Sequence, residues 1–211
     1  MASRYEGLLI DVGGVLTTDL IVAFDEYCAR EGLSGVSIRD LYYNSAEARR
    51  LFHRLELGEI DAVEAQPQLA RILGLPETRS RTLFRDLYTG VHFVPDMIRT
   101  VEILHASGVR TGVLSNSWWY PIYDDPFYER AFDVQLISGR VGLRKPDPRM
   151  FERGVQALAV APERIVFVDD FEENLVPARE MGMLGVLHSP DAPAPTIVEL
   201  ERLFGVTLGS A

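Results

Sequence analysis

The chain has 211 residues, 47% hydrophobic and 25% charged, enough for one large domain or a core with a modest insertion. Its formal net charge of −10 argues against partners held by clustered Lys and Arg, so neither a nucleic acid nor an anionic membrane is expected. The single cysteine, Cys28, excludes an intrachain disulfide, and no apolar run approaches the roughly 18 residues of a membrane span. Without a basic segment leading into a long apolar one at the start, the expected address is the cytoplasm.

The first element is a short apolar run, Leu-Leu-Ile, that ends at Asp11 and enters a loop through Gly13 and Gly14. It reads as a buried strand followed by a glycine-containing turn. From about Leu20 to Gly90 the pattern becomes helical. Apolar positions recur at helical spacing over 21–31, 45–59 and 63–74, punctuated by Gly32, Gly58 and Gly74. This predicts a small helical bundle.

After Pro95 helices and strands alternate to the end. Helices are predicted over 97–108, 148–160, 173–182 and 196–205, and strands over 109–115, 133–138, 164–170 and 184–188. Such alternation argues for right-handed βαβ units around a parallel sheet. The fold class is therefore α/β, a Rossmann-like parallel core carrying an inserted α-helical cap. The expected division is a core of residues 1–17 and 92–211, with a cap of residues 18–91. The cap's apolar helices leave monomer and homodimer both open.

Ligands of an open parallel sheet bind at the carboxyl ends of its strands. Asp11 follows the first strand, Ser115 and Asn116 the second, and Asp169 and Asp170 the strand over 164–170. Between the last two, the loop Gly-Leu-Arg-Lys-Pro-Asp-Pro presents Lys145. Carboxylates brought this close need a cation, and hard oxygen ligands select Mg2+. An Asp can attack phosphorus, while a cation, a Lys and a Ser hydroxyl stabilise the equatorial oxygens. Gly13 and Gly14 would let the backbone approach a bound anion.

These residues resemble the four motifs of the haloacid dehalogenase superfamily, in order and across essentially the whole chain. Asp11-Val12-Gly13-Gly14-Val15-Leu16 is similar to the first, Ser115-Asn116 to the second and Arg144-Lys145-Pro146-Asp147-Pro148 to the third. Val168-Asp169-Asp170 with Asn174, Ala178 and Gly182 is similar to the fourth. The resemblance implies a Mg2+-dependent phosphohydrolase acting on a small phosphorylated metabolite, such as a sugar phosphate. It implies Asp11 as nucleophile and metal ligand, the Gly13 carbonyl and Asp170 as further ligands, and Asp169 beside them. Ser115 would bind the phosphoryl group, Asn116 and Gly14 would line its site, and Lys145 would balance charge.

Most phosphatases of that family carry a second Asp two residues after the nucleophile, and here that position is Gly13. General acid–base help is typically worth about 10²–10⁴ in rate. That absence supports a second reading, a weakly catalytic binding protein; a third, a 2-haloacid dehalogenase, attacks carbon without a metal, and both Gly13 and the Asp169-Asp170 pair speak against it. Trp118-Trp119-Tyr120 and Tyr42-Tyr43 read either as packing at the cap or as a substrate wall. His53, His92, His105 and His188 show no ligand spacing.

Overall fold

A computed structural model describes residues 4–33, 36–118 and 121–208; Trp119 and Tyr120 lie outside the described residues. Five strands, β1 (Gly7–Ile10), β2 (Arg110–Ser115), β3 (Val134–Ile137), β4 (Ile165–Asp169) and β5 (Leu184–Leu187), pair in parallel in the order β3-β2-β1-β4-β5. β1 and β4 are buried along their whole length. Both faces of a parallel sheet are covered by crossover helices, which is why these strands are continuous apolar runs.

The helices fall into two groups. Between β1 and β2 come α1 (Leu20–Arg30), α2 (Ile38–Asn44), α3 (Ala46–Glu56), α4 (Ala62–Ile72), α5 (Glu77–Ser80), α6 (Leu83–Leu87) and then α7 (Pro95–Ala106). After β2 come α8 (Pro126–Ala131), α9 (Ser138–Val141), α10 (Pro148–Leu158), α11 (Glu172–Glu180) and α12 (Ala194–Phe204). Helices α7 and α12 cover one face of the sheet, where Leu8, Ile10, Val166 and Val168 meet Val101 and Leu200. Helices α10 and α11 cover the other, where Leu9, Leu114 and Phe167 meet Phe151 and Leu175. Alternate residues of one strand thus serve opposite cores, as the pleat requires.

Helices α1 to α6 bury their apolar faces against one another. Phe24, Leu51, Phe52, Leu55, Leu69 and Leu83 form a hydrophobic cluster of their own, joined by Trp118 from the core. Their starts are set by side-chain caps: Asp19 accepts from Ile21 N at 2.7 Å, Ser45 from Ala48 N at 3.2 Å and Asp61 from Glu64 N at 2.8 Å. Where the chain leaves the sheet and where it returns, it pairs with itself. Thr17 bridges Phe93, Thr18 N donates to His92 O at 2.8 Å and Val94 N to Leu16 O at 2.9 Å.

Gly58, just after α3, has φ +70°, and a Cβ there would run into the carbonyl oxygen of Gly139 in the core. Gly32 has a similar φ of +74° with nothing nearby. Left-handed backbone costs about 1–2 kcal/mol for a residue bearing a Cβ. Gly32→Ala is therefore expected to lower the melting temperature by about 2–4 °C, the response of a chain this size to about 1 kcal/mol. Gly58→Ala should lower it at least twice as far, because the cap must also move off the core. Equal losses in the two variants, read by thermal unfolding, would show that the contact contributes nothing.

Candidate active site

Strands β2, β1 and β4 are neighbours, so the residues at their carboxyl ends meet along one edge of the sheet. Asp11 steps out of β1 with its N–H donating to Val168 O at 2.9 Å, while Ser115 and Asp169 are the last residues of β2 and β4. Lys145 reaches this edge from the loop between α9 and α10 and is fully buried. Its Nζ lies 2.6 Å from Asp169 Oδ2 and 2.9 Å from Asp11 Oδ1. Burial opposes the ammonium charge, yet the attraction of Asp11 and Asp169 outweighs it and holds Lys145 above the ordinary lysine value.

Asn116 fixes the Lys145 backbone on both sides. Its Nδ2 donates to Lys145 O at 2.9 Å and its Oδ1 accepts from Lys145 N at 2.7 Å. Asp169 is held in turn, its Oδ1 accepting from Phe171 N at 2.9 Å and Asn174 Nδ2 at 3.0 Å while its Oδ2 takes the ammonium. Three of the roughly four lone-pair positions of that carboxylate are then occupied. Ser115 Oγ shares a 2.9 Å hydrogen bond with the hydroxyl of Tyr123, a buried residue that its own sequence neighbourhood did not mark.

Asp170 is bound differently. Its Oδ1 is buried and has no hydrogen-bond partner, although buried polar atoms nearly always find one. Gly14, at φ +73°, passes so close that any Cβ would strike Asp170 Oδ2, so the glycine is required by the carboxylate's approach. Asp11, Asp169 and Asp170 each offer an oxygen, and these atoms all lie within 4.8 Å of one another. Three hard anionic oxygens with one orphaned and buried fit a small divalent cation. Among the described residues no other cluster of this kind occurs.

The site residues named from the sequence are thereby brought together. Asp11, Gly13, Ser115, Asn116, Lys145 and Asp170 line one cavity of about 410 Å³ under the cap. Asp169 stands behind Lys145, and Gly14 behind Asp170. Trp118 both packs on Phe84, with ring centroids 5.1 Å apart, and lines the cavity; Tyr42 and Tyr43 line it too. Cys28 is fully buried, and desolvation pushes its thiol up to about 11. Leu20 was missed, since only the folded chain brings the start of α1 over Gly13.

Burial, and then the neighbouring Asp169, hold the Asp11 carboxyl up at about 6 against the pull of Lys145. Burial and then the charge of Asp11 push Asp170 to about 8. Both groups thus bind protons in the folded chain at a pH where the unfolded chain has lost them. Stability of the metal-free protein therefore falls as pH rises from about 4 to about 8. A cation competes with protons for these oxygens. Excess Mg2+ is expected to raise the melting temperature more at about pH 8 than at about pH 5, measured against EDTA. An equal shift, or none, would refute the site.

Known proteins resemble the chain in both sequence and fold. A sesquiterpene phosphatase of Aspergillus oryzae is 26% identical over 208 residues, 97% of this chain and 100% of that protein. Acyl-CoA dehydrogenase family member 10 of mouse is 33% identical over 116 residues, 54% of this chain, which spans about a tenth (11%) of the mouse protein. Among solved structures, a HAD family enzyme of Bacteroides thetaiotaomicron superposes with a TM-score of 0.77 at 19% identity, covering 92% of this chain and 98% of that one. The same enzyme is also known in complex with magnesium and inorganic phosphate, with a TM-score of 0.70 at 20% identity, covering 89% of this chain and 96% of that one. Residues 5–182 match the model of the haloacid dehalogenase-like hydrolases, and the chain belongs to that family of hydrolases.

Proposed function

We propose that the protein is a Mg2+-dependent phosphomonoester hydrolase that acts on a small phosphorylated metabolite through an aspartyl-phosphate on Asp11. The observation that carries this reading is the orphaned, buried Oδ1 of Asp170 beside a nucleophile candidate already held by a buried ammonium. The phosphatases among similar proteins and the magnesium and phosphate bound by the Bacteroides enzyme support it.

The contacts support a role for each residue. Lys145 and the Val12 N–H, 2.7 Å away, both engage Asp11 Oδ1, which leaves Oδ2 to attack phosphorus. The ester P–O bond breaks as the Asp11–phosphorus bond forms, and water then releases inorganic phosphate. Ser115 donates to a phosphoryl oxygen, its hydroxyl steadied by Tyr123. Asn116 is a positioning residue for Lys145, and Asp169 holds the same ammonium from the other side. Asp11 and Asp170, with the Gly13 carbonyl, would hold Mg2+, and Asp169 lies beside them. When bound, the cation neutralises the carboxylates and draws charge from the phosphoryl oxygens. The cap, residues 18–91, closes the cavity against bulk water.

An assay with Mg2+, with excess EDTA and with Asp11→Asn checks the reading. Phosphate release that requires Mg2+ and falls by at least about 10³ in the variant is the expected result. Release of halide from a 2-haloacid regardless of EDTA would replace the phosphatase with a dehalogenase. Asn116→Ala is expected to lower kcat by about 10- to 100-fold while moving KM little, since it disturbs Lys145 without touching the alcohol half of a substrate. A change in KM alone would remove Asn116 from this role.

A further inference from the structure

The cavity beyond the phosphoryl site has a chemical character that its polar residues conceal. Most are already engaged. Arg144 donates from Nε to Glu56 Oε2 at 2.8 Å and from its terminal nitrogen to the Tyr42 hydroxyl at 3.0 Å; that hydroxyl also lies 3.2 Å from His53 Nε2. Asp19 is spent on capping α1, Asn116 on the Lys145 backbone and Asn174 on Asp169. Arg49 and Glu173, which also line the cavity, are exposed, and Arg49 donates to the Tyr43 carbonyl at 3.1 Å. What the wall offers a ligand is mainly hydrocarbon: Leu20, Ile21, Phe24, Phe52 and Trp118.

A second observation concerns the space beside Gly13. A Cβ built on Gly13 would lie 3.0 Å from Leu20 Cδ1 and 3.3 Å from Leu20 Cγ. The space into which a side chain at position 13 would project is therefore filled by an apolar group from α1. The side chain that fills this space is neither an acid nor a hydrogen-bond donor.

We infer that the substrate is the phosphate monoester of a hydrocarbon-rich alcohol, whose apolar body lies against Leu20, Phe24, Phe52 and Trp118, and not a sugar phosphate. This rests on the phosphatase reading and deepens it. A sugar would bring several hydroxyls against a wall whose polar side chains are mostly paired with one another, at a loss of about tenfold or more for each hydroxyl left unsatisfied. An alkyl chain gains about fourfold for each methylene taken out of water. The overall reaction is unchanged: the ester P–O bond breaks, and the water consumed supplies both the oxygen added to phosphate and the proton carried off by the alcohol.

The test measures kcat/KM with Mg2+ for ethyl, butyl, hexyl and octyl phosphate, with p-nitrophenyl phosphate and glucose 6-phosphate alongside. The expected result is a rise of about fourfold per methylene until the cavity is full. Hexyl phosphate should exceed glucose 6-phosphate by about 100-fold or more. Leu20→Ser should flatten the chain-length dependence, costing octyl phosphate several-fold more than ethyl phosphate. Leu20 is half-buried, and the variant's circular dichroism and melting temperature verify that it folds. Phosphate release without chain-length preference, or with glucose 6-phosphate preferred, overturns this inference alone. Release from no ester above the Asp11→Asn background overturns the phosphatase reading and this one with it.

Discussion

A fully buried ammonium is held between two carboxylates, and the surrounding architecture is arranged around that fact. Neither Lys145 nor Asp169 has any exposed side-chain surface, so neither charge can be left to water. Removing one partner of such a set typically costs about 3–5 kcal/mol, because the remaining charges stay buried and uncompensated. The geometry is supplied by three separate parts of the chain. β1 and β4, side by side, carry Asp11 and Asp169, and the loop before α10 carries Lys145. Asn116, at the end of β2, ties that loop to the sheet, and Asn174, in the first turns of α11, ties Asp169 to its own helix. Asp170 adds a third carboxyl that one ammonium does not balance, a donor set that would suit a divalent cation.

The cap is a second hydrophobic unit with few obligations to the first. Its cluster is built from α1 to α6, and the residue it takes from the core is Trp118. The other links include the Arg144–Glu56 pair, the Arg144–Tyr42 hydrogen bond, the hydrogen-bonded crossing at Thr17 and Phe93, and the close pass of Gly58 over Gly139. Burial raises the Glu56 carboxyl above its ordinary value and Arg144 pulls it back, so the charged pair depends on the guanidinium staying in place. An apolar cavity between two such units is a natural outcome, since each contributes one wall.

Much of this was legible in the residues. Apolar runs that stop at Asp11, Ser115 and Asp169 announce buried parallel strands with chemistry at their ends, because an acid or hydroxyl is tolerated there only where the sheet stops. The glycines at 32, 58 and 74 mark real helix ends with left-handed backbone. The missing parts are those that depend on long-range placement. Tyr123 sits in a short 3-10 turn (Pro121–Asp124) whose sequence carries no period, so its bond to Ser115 has no local signature. The short helices α8, which packs against α7, and α9, which follows β3, are too short to show an amphipathic repeat. Leu20 reads as an ordinary helix residue until the fold brings it over Gly13.

Arg144 and Lys145 are consecutive residues with opposite allegiances. One side chain grips α3 of the cap, the other grips the nucleophile candidate and Asp169. The peptide unit joining them is anchored by Asn116 through the Lys145 N–H. A cap drawn away from the sheet must therefore either release Glu56 or pull directly on the backbone that fixes the ammonium. The contact that ties the core to α3 and the contact that holds the nucleophile candidate are thus separated by a single peptide unit.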